Sequence, residues 1–212
     1  MSNKLVVIGA GGGGTSVVGK AIKGLESMGD GFSTIEYHFI DTSKNNYDMI
    51  DPIGDFYKVE KLASNDKNVI NGAGGDRFSS LKEAMANAPV FLDKIKLTKK
   101  ETNTFVCVVF SASGGSGSNL AIAILDSLMD KNIPTFALVI GDSGDALKLR
   151  NTQAVLATLN KKATDKGKCL ITYYVNNAEM DASQTKGESI ANDRFKNVMG
   201  IMSLFLSGDN ES

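Results

Sequence analysis

The stretch between Val106 and Leu125, VCVVFSASGGSGSNLAIAIL, constrains the fold more than any other part of the chain. Its first residues form a short valine-rich apolar run, which predicts a buried strand. From Asn119 onward, apolar residues recur at helical spacing. The eight residues between, SASGGSGS, have no side chain larger than serine. A strand that turns through such residues into a helix presents unpaired N–H groups at the positive end of the helix dipole. This arrangement predicts an anion-binding site.

A flexible linker is the alternative interpretation of this segment, since glycine and serine runs often serve as linkers. The strand before it and the apolar helix after it argue against a linker. Gly114, Gly115 and Gly117 would allow a phosphate to approach the main chain, and Ser116 and Ser118 would add hydroxyl donors.

The rest of the chain also alternates between strands and helices. Apolar runs predict strands at 4–8, 35–40, 105–110, 134–140 and 169–175, and helical spacing predicts helices at 17–29, 81–95, 119–129, 146–159 and 190–206. Residues 47–68 are polar and mixed, and they predict an irregular connection. Such an order predicts an α/β fold, a Rossmann-like, mainly parallel sheet with helices on both faces. Ligands of these sheets bind at the carboxyl ends of the strands.

Composition excludes several classes of protein. A net charge of −1 gives no indication of binding to nucleic acid or to an anionic membrane. Cys107 and Cys169 both lie in apolar runs, so we expect two buried thiols in a reducing, cytoplasmic compartment. The single histidine, His38, has apolar strand neighbours and is predicted to be structural. With no Cys/His cluster, the sequence predicts no transition-metal site.

The glycine-rich segment after the first strand allows three interpretations. Residues 9–14 match Gly-x-Gly-x-x-Gly, and Asp41 follows the second strand, as in dinucleotide-binding domains; this pattern favours an NAD-dependent oxidoreductase. Residues 14–20 approach a P-loop, but Ala21 stands where a magnesium-binding hydroxyl is needed. The third possibility is that this segment shares one nucleotide with the glycine-rich segments further along the chain.

Taken together, these segments resemble the nucleotide-binding half of the tubulin/FtsZ family of GTPases. Residues 111–119, SASGGSGSN, are similar to that family's phosphate loop, with Asn119 replacing its last glycine. GAGGGGTS at 9–16, GAGG at 72–75 and AND at 191–193 are similar to three further motifs, in the family's order. The divergence from bacterial FtsZ resembles the tubulin-like proteins of phages and plasmids, the TubZ and PhuZ type.

The resemblance implies a nucleotide site distributed over seven segments. Its expected members are Gly11, Gly12, Gly13, Thr15, Asp41, Thr42, Ala73, Gly74, Gly75, Ser113, Gly114, Gly115, Ser116, Gly117, Ser118, Asp145, Arg150, Asn176, Asn177, Asn192 and Asp193. Ala146 replaces the family's ribose-binding glutamate, so either Asp142 or Asp145 is expected to bind the ribose.

Recognition of the base is expected from two further places. A carboxylate such as Asp193 could accept hydrogen bonds from guanine N1–H and the exocyclic amino group, a donor pair that adenine lacks. Either Asn176 or Asn177 corresponds to the family's asparagine after the preceding strand.

The resemblance also implies what the chain does. We expect one GTP-binding domain over residues 1–206, including a central helix from about 188, a tail at 207–212, and no second, activation domain. The expected ligands are GTP or GDP with Mg²⁺. The chain is expected to contain no catalytic residue, because hydrolysis in this family needs an acidic loop from a neighbouring subunit; Asp209 and Glu211 are poor substitutes.

The expected partner is a second copy, stacked head to tail into a filament. An adaptor protein or DNA-bound complex would link such a filament to DNA segregation, phage positioning or cell division, without direct contact with nucleic acid or membrane. Two alternatives remain at this stage: the NAD-dependent oxidoreductase, and a nucleotide-binding scaffold that does not hydrolyse its ligand.

Overall fold

A six-stranded parallel sheet forms the centre of the described structure. The computed structural model describes residues 4–26, 35–48, 54–59, 78–97, 104–177 and 187–207. The strands are β1 (Lys4–Ala10), β2 (Ile35–Asp41), β3 (Asp55–Lys58), β4 (Thr104–Ser111), β5 (Thr135–Gly141) and β6 (Ile171–Asn176). Their order is β3-β2-β1-β4-β5-β6, and every neighbouring pair is parallel. All six carboxyl ends therefore lie along one edge.

Helices cover both faces of this sheet. They are α1 (Gly11–Glu26), α2 (Asn45–Asp48), α3 (Phe78–Lys94), α4 (Ser116–Asp130), α5 (Ala146–Asp165) and α6 (Gly187–Ser207). One core cluster joins the sheet to α3, α4 and α5, and the other joins it to α1 and α6. This arrangement confirms the predicted α/β fold with helices on both faces.

The central strands show why the sequence predicts this fold. In β4, Val106 and Val108 pack toward α4, while Cys107 and Val109 pack toward α1 and α6. A strand buried on both faces is apolar at every position, because successive side chains point to opposite faces of the sheet. Such runs appear as continuous hydrophobic segments, so β1 and β4 are evident from the sequence.

The structure corrects two boundaries near the site. The predicted irregular connection at 47–68 contains the short strand β3, which pairs with β2 through residues such as His38 and Asp55. With only four residues, β3 has too little periodicity for a sequence pattern to detect. In addition, the helix predicted at 17–29 begins at Gly11, so most of the glycines before it belong to that helix. Pro89 lies inside α3.

The prediction for one of the two cysteines is wrong. Cys107 is buried in β4, but Cys169 is exposed. Cys169 lies just before β6, an edge strand on which Ile171 and Tyr173 are also exposed. An apolar run does not distinguish an edge strand from a central one, and the expected burial at Cys169 rested on that run. Among the described helices, none is long and apolar enough to cross a membrane.

Candidate functional site

Two glycine-rich segments leave the sheet side by side. The first glycine segment is residues 9–14, and the second glycine segment is residues 112–118. Because β1 and β4 are neighbours in register, with Ala10 beside Phe110, the two segments meet at the carboxyl edge. Gly11 has a φ of +68°, and a Cβ on it would collide with the Cα of Gly117. The two main chains therefore contact each other directly at this point.

The glycines of the first segment fit closely against other parts of the protein. A Cβ on Gly12 would collide with the Asn46 side-chain amide, and a Cβ on Gly14 would collide with the carbonyl oxygen of Val109. At Gly13, a Cβ would lie 2.6 Å from the Cβ of Ser111. These glycines allow the start of α1 to pack against β4 and its following residues, so internal packing already accounts for them.

Gly114, in the second segment, faces open space, because no atom lies within 4 Å of the position that a Cβ would occupy. The N–H groups of Gly114, Gly115 and Gly117 have no hydrogen-bond acceptor among the described residues. Gly115 is the N-cap of α4 and supplies no side-chain cap. Unpaired N–H groups at the start of a 15-residue helix attract an anion through hydrogen bonding and the helix dipole.

The carbonyl groups of the second segment are held by side chains. The Oγ atom of Ser118 lies 2.9 Å from the carbonyl oxygens of both Gly114 and Gly115. The side-chain amide of Asn151, on α5, donates to the carbonyl oxygen of Ser113 at 3.0 Å. The Ser113 hydroxyl lies 3.0 Å from that of Ser111. The Ser118 hydroxyl, expected to contact phosphate, is thus directed at its own main chain and is fully buried.

The predicted acid after β2 is buried at the same edge. One oxygen of Asp41 accepts the Thr42 main-chain N–H at 2.7 Å and lies 3.4 Å from the Thr42 hydroxyl. Burial raises the pKa of Asp41, and the bonds from Thr42 oppose this effect. A buried carboxylate gains from additional hydrogen-bond donors, and sugar hydroxyls are such donors.

After β5, the two candidate ribose-binding acids have different roles. Asp145 caps α5 by accepting the Lys148 N–H at 2.8 Å, a bond that lowers the pKa of Asp145. Asp142 is buried and accepts the Gly144 N–H at 2.7 Å. The Lys148 ammonium group lies 3.2 Å from Asp142 and 3.6 Å from Asp145. A ribose bound here would therefore encounter two acids that already share one lysine.

The predicted residues after β6 are linked to the same region. The side-chain amide of Asn176 donates to the Ser143 hydroxyl at 3.0 Å, so Asn176 joins the ends of β5 and β6. Asn177 donates its main-chain N–H to Gly141 at 2.8 Å. Arg150 is exposed on α5.

Two buried polar atoms at the predicted positions have no partner among the described residues. They are the hydroxyl oxygen of Thr15, on α1, and the amide oxygen of Asn192, on α6. Buried polar atoms are nearly always hydrogen-bonded, so each of these favours a ligand or another partner. Asp193, the next residue, is exposed.

Several expected residues lie outside the described parts of the chain. They are Ala73, Gly74 and Gly75, together with Asp209 and Glu211. Within the described ranges, no group of three or more His, Cys, Asp or Glu side chains could hold a metal ion.

Sequence reasoning missed three residues that shape this site: Asn46, Lys148 and Asn151. Asn46 contacts the first glycine segment, Lys148 joins the two acids, and Asn151 contacts the second glycine segment. Lys148 follows Asp145 by three residues, so helical spacing alone could have paired them. No comparable signal exists for Asn151, which lies 38 residues from its partner.

Comparison with known proteins identifies the fold. No protein-family model matches the sequence, and no curated protein matches it significantly. Solved structures do match. The protofilament of TubZ from bacteriophage PhiKZ has a TM-score of 0.73 at 20% identity, covering 98% of this chain and 58% of that one.

Two further structures agree. The GTPgS-bound protofilament of CetZ2 from Haloferax volcanii has a TM-score of 0.72 at 19% identity, covering 94% of this chain and 58% of that one. The phage tubulin PhuZ with GDP has a TM-score of 0.71 at 23% identity, covering 97% of this chain and 57% of that one. The chain thus has the fold found in these tubulin-like structures, and it spans a little over half of their length.

Proposed function

We propose that this chain is the guanine-nucleotide-binding domain of a filament-forming, tubulin-like GTPase. The observation that carries the proposal is the second glycine segment, where three N–H groups at the start of α4 have no acceptor among the described residues and where Gly114 faces open space. The phosphates of GTP or GDP are the anions that such a segment would bind. Two of the structures with this fold contain GTPgS and GDP.

The choice of guanine rests on α6. Ala191, Phe195 and Met199 anchor this helix in the core, so Asn192 has a fixed position beside them. The buried, unpartnered amide oxygen of Asn192 is an acceptor. Guanine presents N1–H and an exocyclic amino group as donors, and the exposed carboxylate of Asp193 lies on the next residue. Adenine presents an acceptor at N1, which would oppose these oxygens.

We expect Mg²⁺ to be held mainly by the phosphates of the nucleotide, and less by protein side chains. Mg²⁺ in nucleotide sites keeps several waters and is held by substrate phosphates with one or two carboxylates. The described residues lack a cluster of three ligands but include the buried carboxylates Asp41 and Asp142. When bound, Mg²⁺ would neutralise phosphate charge, while the N–H groups of the second glycine segment would orient the phosphates.

Hydrolysis and assembly form the second half of the proposal. We expect the acid that activates water to come from a neighbouring subunit, as the resemblance to the tubulin/FtsZ family implies. A subunit stacked head to tail could supply that acid, and a contact of this kind repeats into a filament. Several structures with this fold are protofilaments or filaments. An adaptor or DNA-bound complex would then link the filament to its cargo.

Calorimetric titration of GTP, ATP and NAD with Mg²⁺ tests the proposal. We expect GTP to bind and ATP to bind at least about tenfold more weakly, because guanine alone supplies the donor pair. The variant Asn192→Leu should lose this preference. Its matched control is Asn197→Leu, at an exposed position on the same helix.

Three outcomes would contradict the proposal. Binding of NAD in preference to GTP would favour a dinucleotide-binding protein, and the strand order β3-β2-β1-β4-β5-β6 also occurs in that class. Absence of binding to all three ligands would contradict a nucleotide site in this chain. For assembly, sedimentation with GTP that shows only monomers would contradict the filament.

A further inference from the structure

Asn151 connects the second glycine segment to a helix 38 residues away in sequence. Its side-chain amide nitrogen donates to the carbonyl oxygen of Ser113 at 3.0 Å. Asn151 is partly buried on the first turns of α5, whereas Ser113 precedes α4. This contact joins a side chain of α5 to the main chain of the proposed phosphate site.

The direction of one N–H group follows from this bond. Every described peptide bond is trans, and in a trans peptide the carbonyl and the N–H point in opposite directions. Asn151 holds the Ser113 carbonyl toward α5, so the Gly114 N–H in the same peptide plane points away from α5. That N–H has no acceptor among the described residues, and Gly114 faces open space.

The next two peptide planes are fixed in a similar way. The Ser118 hydroxyl oxygen lies 2.9 Å from the carbonyl oxygens of Gly114 and Gly115. Three consecutive carbonyls, from Ser113 to Gly115, are thus each engaged by a side chain. Successive N–H groups oriented in this manner form a concave anion site, and holding them in advance lowers the entropy cost of binding.

The helix that carries Asn151 is itself held firmly. The neighbouring Thr152 is buried, and its hydroxyl lies 3.2 Å from the Asp142 main-chain nitrogen. Asp145 caps the same helix, and Val155 and Leu159 anchor it in the core. Asn151 therefore connects the Ser113 carbonyl to a helix that the core holds in place.

We infer that Asn151 is a positioning residue that orients the Gly114 peptide for a nucleotide phosphate, without contacting the nucleotide itself. The inference rests on the proposed function. Because Ser118 lies within the second glycine segment, its bonds could serve helix formation alone. The bond from Asn151 comes from 38 residues away and is not part of the start of α4, so Asn151 provides the sharper test.

Variants that separate shape from hydrogen bonding test this inference. Asn151→Leu keeps a similar side-chain volume and removes the hydrogen-bond donor. Asn151→Ala removes the donor and most of the side-chain volume, and Asn151→Gln keeps an amide donor. We expect the Leu and Ala variants to bind GTP about tenfold more weakly, since one oriented hydrogen bond is lost. The Gln variant should recover affinity to within about threefold of the unaltered chain. Calorimetry with GTP and Mg²⁺ measures the affinities.

A control variant and a stability measurement complete the test. Gln153→Ala, at an exposed position on the same helix, should leave GTP affinity unchanged. Thermal unfolding without nucleotide should show that the Asn151 variants remain folded. Wild-type affinity in Asn151→Leu, or a loss in Asn151→Gln equal to that in Asn151→Leu, would overturn this inference alone. Failure of the unaltered chain to bind GTP would overturn the proposed function as well.

Discussion

The two glycine segments look alike in sequence, but Gly114 in the second segment differs from the enclosed glycines of the first. In the first segment, a Cβ on Gly12, Gly13 or Gly14 would collide with other protein atoms. In the second, Gly117 is also enclosed, by Ala10 and Gly11, but a Cβ on Gly114 would meet nothing within 4 Å. The first segment is therefore glycine-rich because the protein packs against itself there, and Gly114 lies where the protein leaves room.

This difference changes how a glycine-rich motif should be interpreted. Gly-x-Gly-x-x-Gly at 9–14 matches a nucleotide-binding fingerprint, yet the structure accounts for Gly14 by the close approach of α1 to β4. The fingerprint itself includes a glycine for helix–strand packing, so the two explanations coexist at that position. Unfilled space beside a helix start is the better indication of a ligand, and it occurs at Gly114 in the second segment.

The largest expected effect is on the free energy of unfolding, which should respond differently to an added methyl group in the two segments. Gly14→Ala should lower the free energy of unfolding by about 3 kcal/mol, because the added methyl group collides with a main-chain carbonyl that cannot move away. Gly114→Ala should leave it unchanged or raise it by up to about 1 kcal/mol. Urea unfolding followed by circular dichroism measures both. Equal stability of the two variants would remove the distinction drawn here.

The next effect concerns ligand binding at Gly114. Gly114→Ala should weaken GTP binding about tenfold, because its methyl group occupies space that a phosphate needs to reach the main chain. Gly200→Ala is the matched control, since a Cβ at that position on α6 would also have no atom within 4 Å. Calorimetry compares the two variants. Unchanged affinity in Gly114→Ala would show that the ligand does not approach this glycine.

Thr15 tests whether the first segment contributes to binding through a side chain. Its buried hydroxyl oxygen has no partner among the described residues. Thr15→Val, of nearly equal size, should therefore leave stability without nucleotide unchanged or raise it by about 1 kcal/mol. GTP binding should weaken by about threefold to tenfold if the hydroxyl reaches the nucleotide. Wild-type affinity in a stable Thr15→Val variant would assign the first segment to packing alone.

The smallest expected effect is the pH dependence contributed by Asp41, beside the first segment. Burial raises the pKa of Asp41 above 3.8, so the folded state holds this proton more tightly than the unfolded state does. The free energy of unfolding should therefore fall as the pH rises from 3.8 through the folded pKa. In the variant Asp41→Asn, the free energy of unfolding should not fall in this way, and the amide oxygen can still accept the Thr42 N–H. Urea unfolding across this range measures the difference, and identical profiles would contradict it.

Particular elements show how far the sequence could be interpreted. The strands β1 and β4 are apolar at successive positions because both of their faces are buried, so their place in the sheet could be predicted. For the edge strands, the sequence predicted β6 as a strand but not its exposure, and it did not predict β3. The strand β3 is too short to show a period, and β6 has an apolar sequence although Ile171 and Tyr173 are exposed.

The candidate site was likewise only partly predictable from the sequence. The sequence by itself determined that glycine, serine and acidic residues follow the strands, because local alternation places the loops at one edge of a parallel sheet. Only the tertiary structure decided which glycines are enclosed and which is open, and that Asn151 holds the Ser113 carbonyl. Those features depend on atoms brought together from distant parts of the chain, and spacing along a sequence contains no information on such distances.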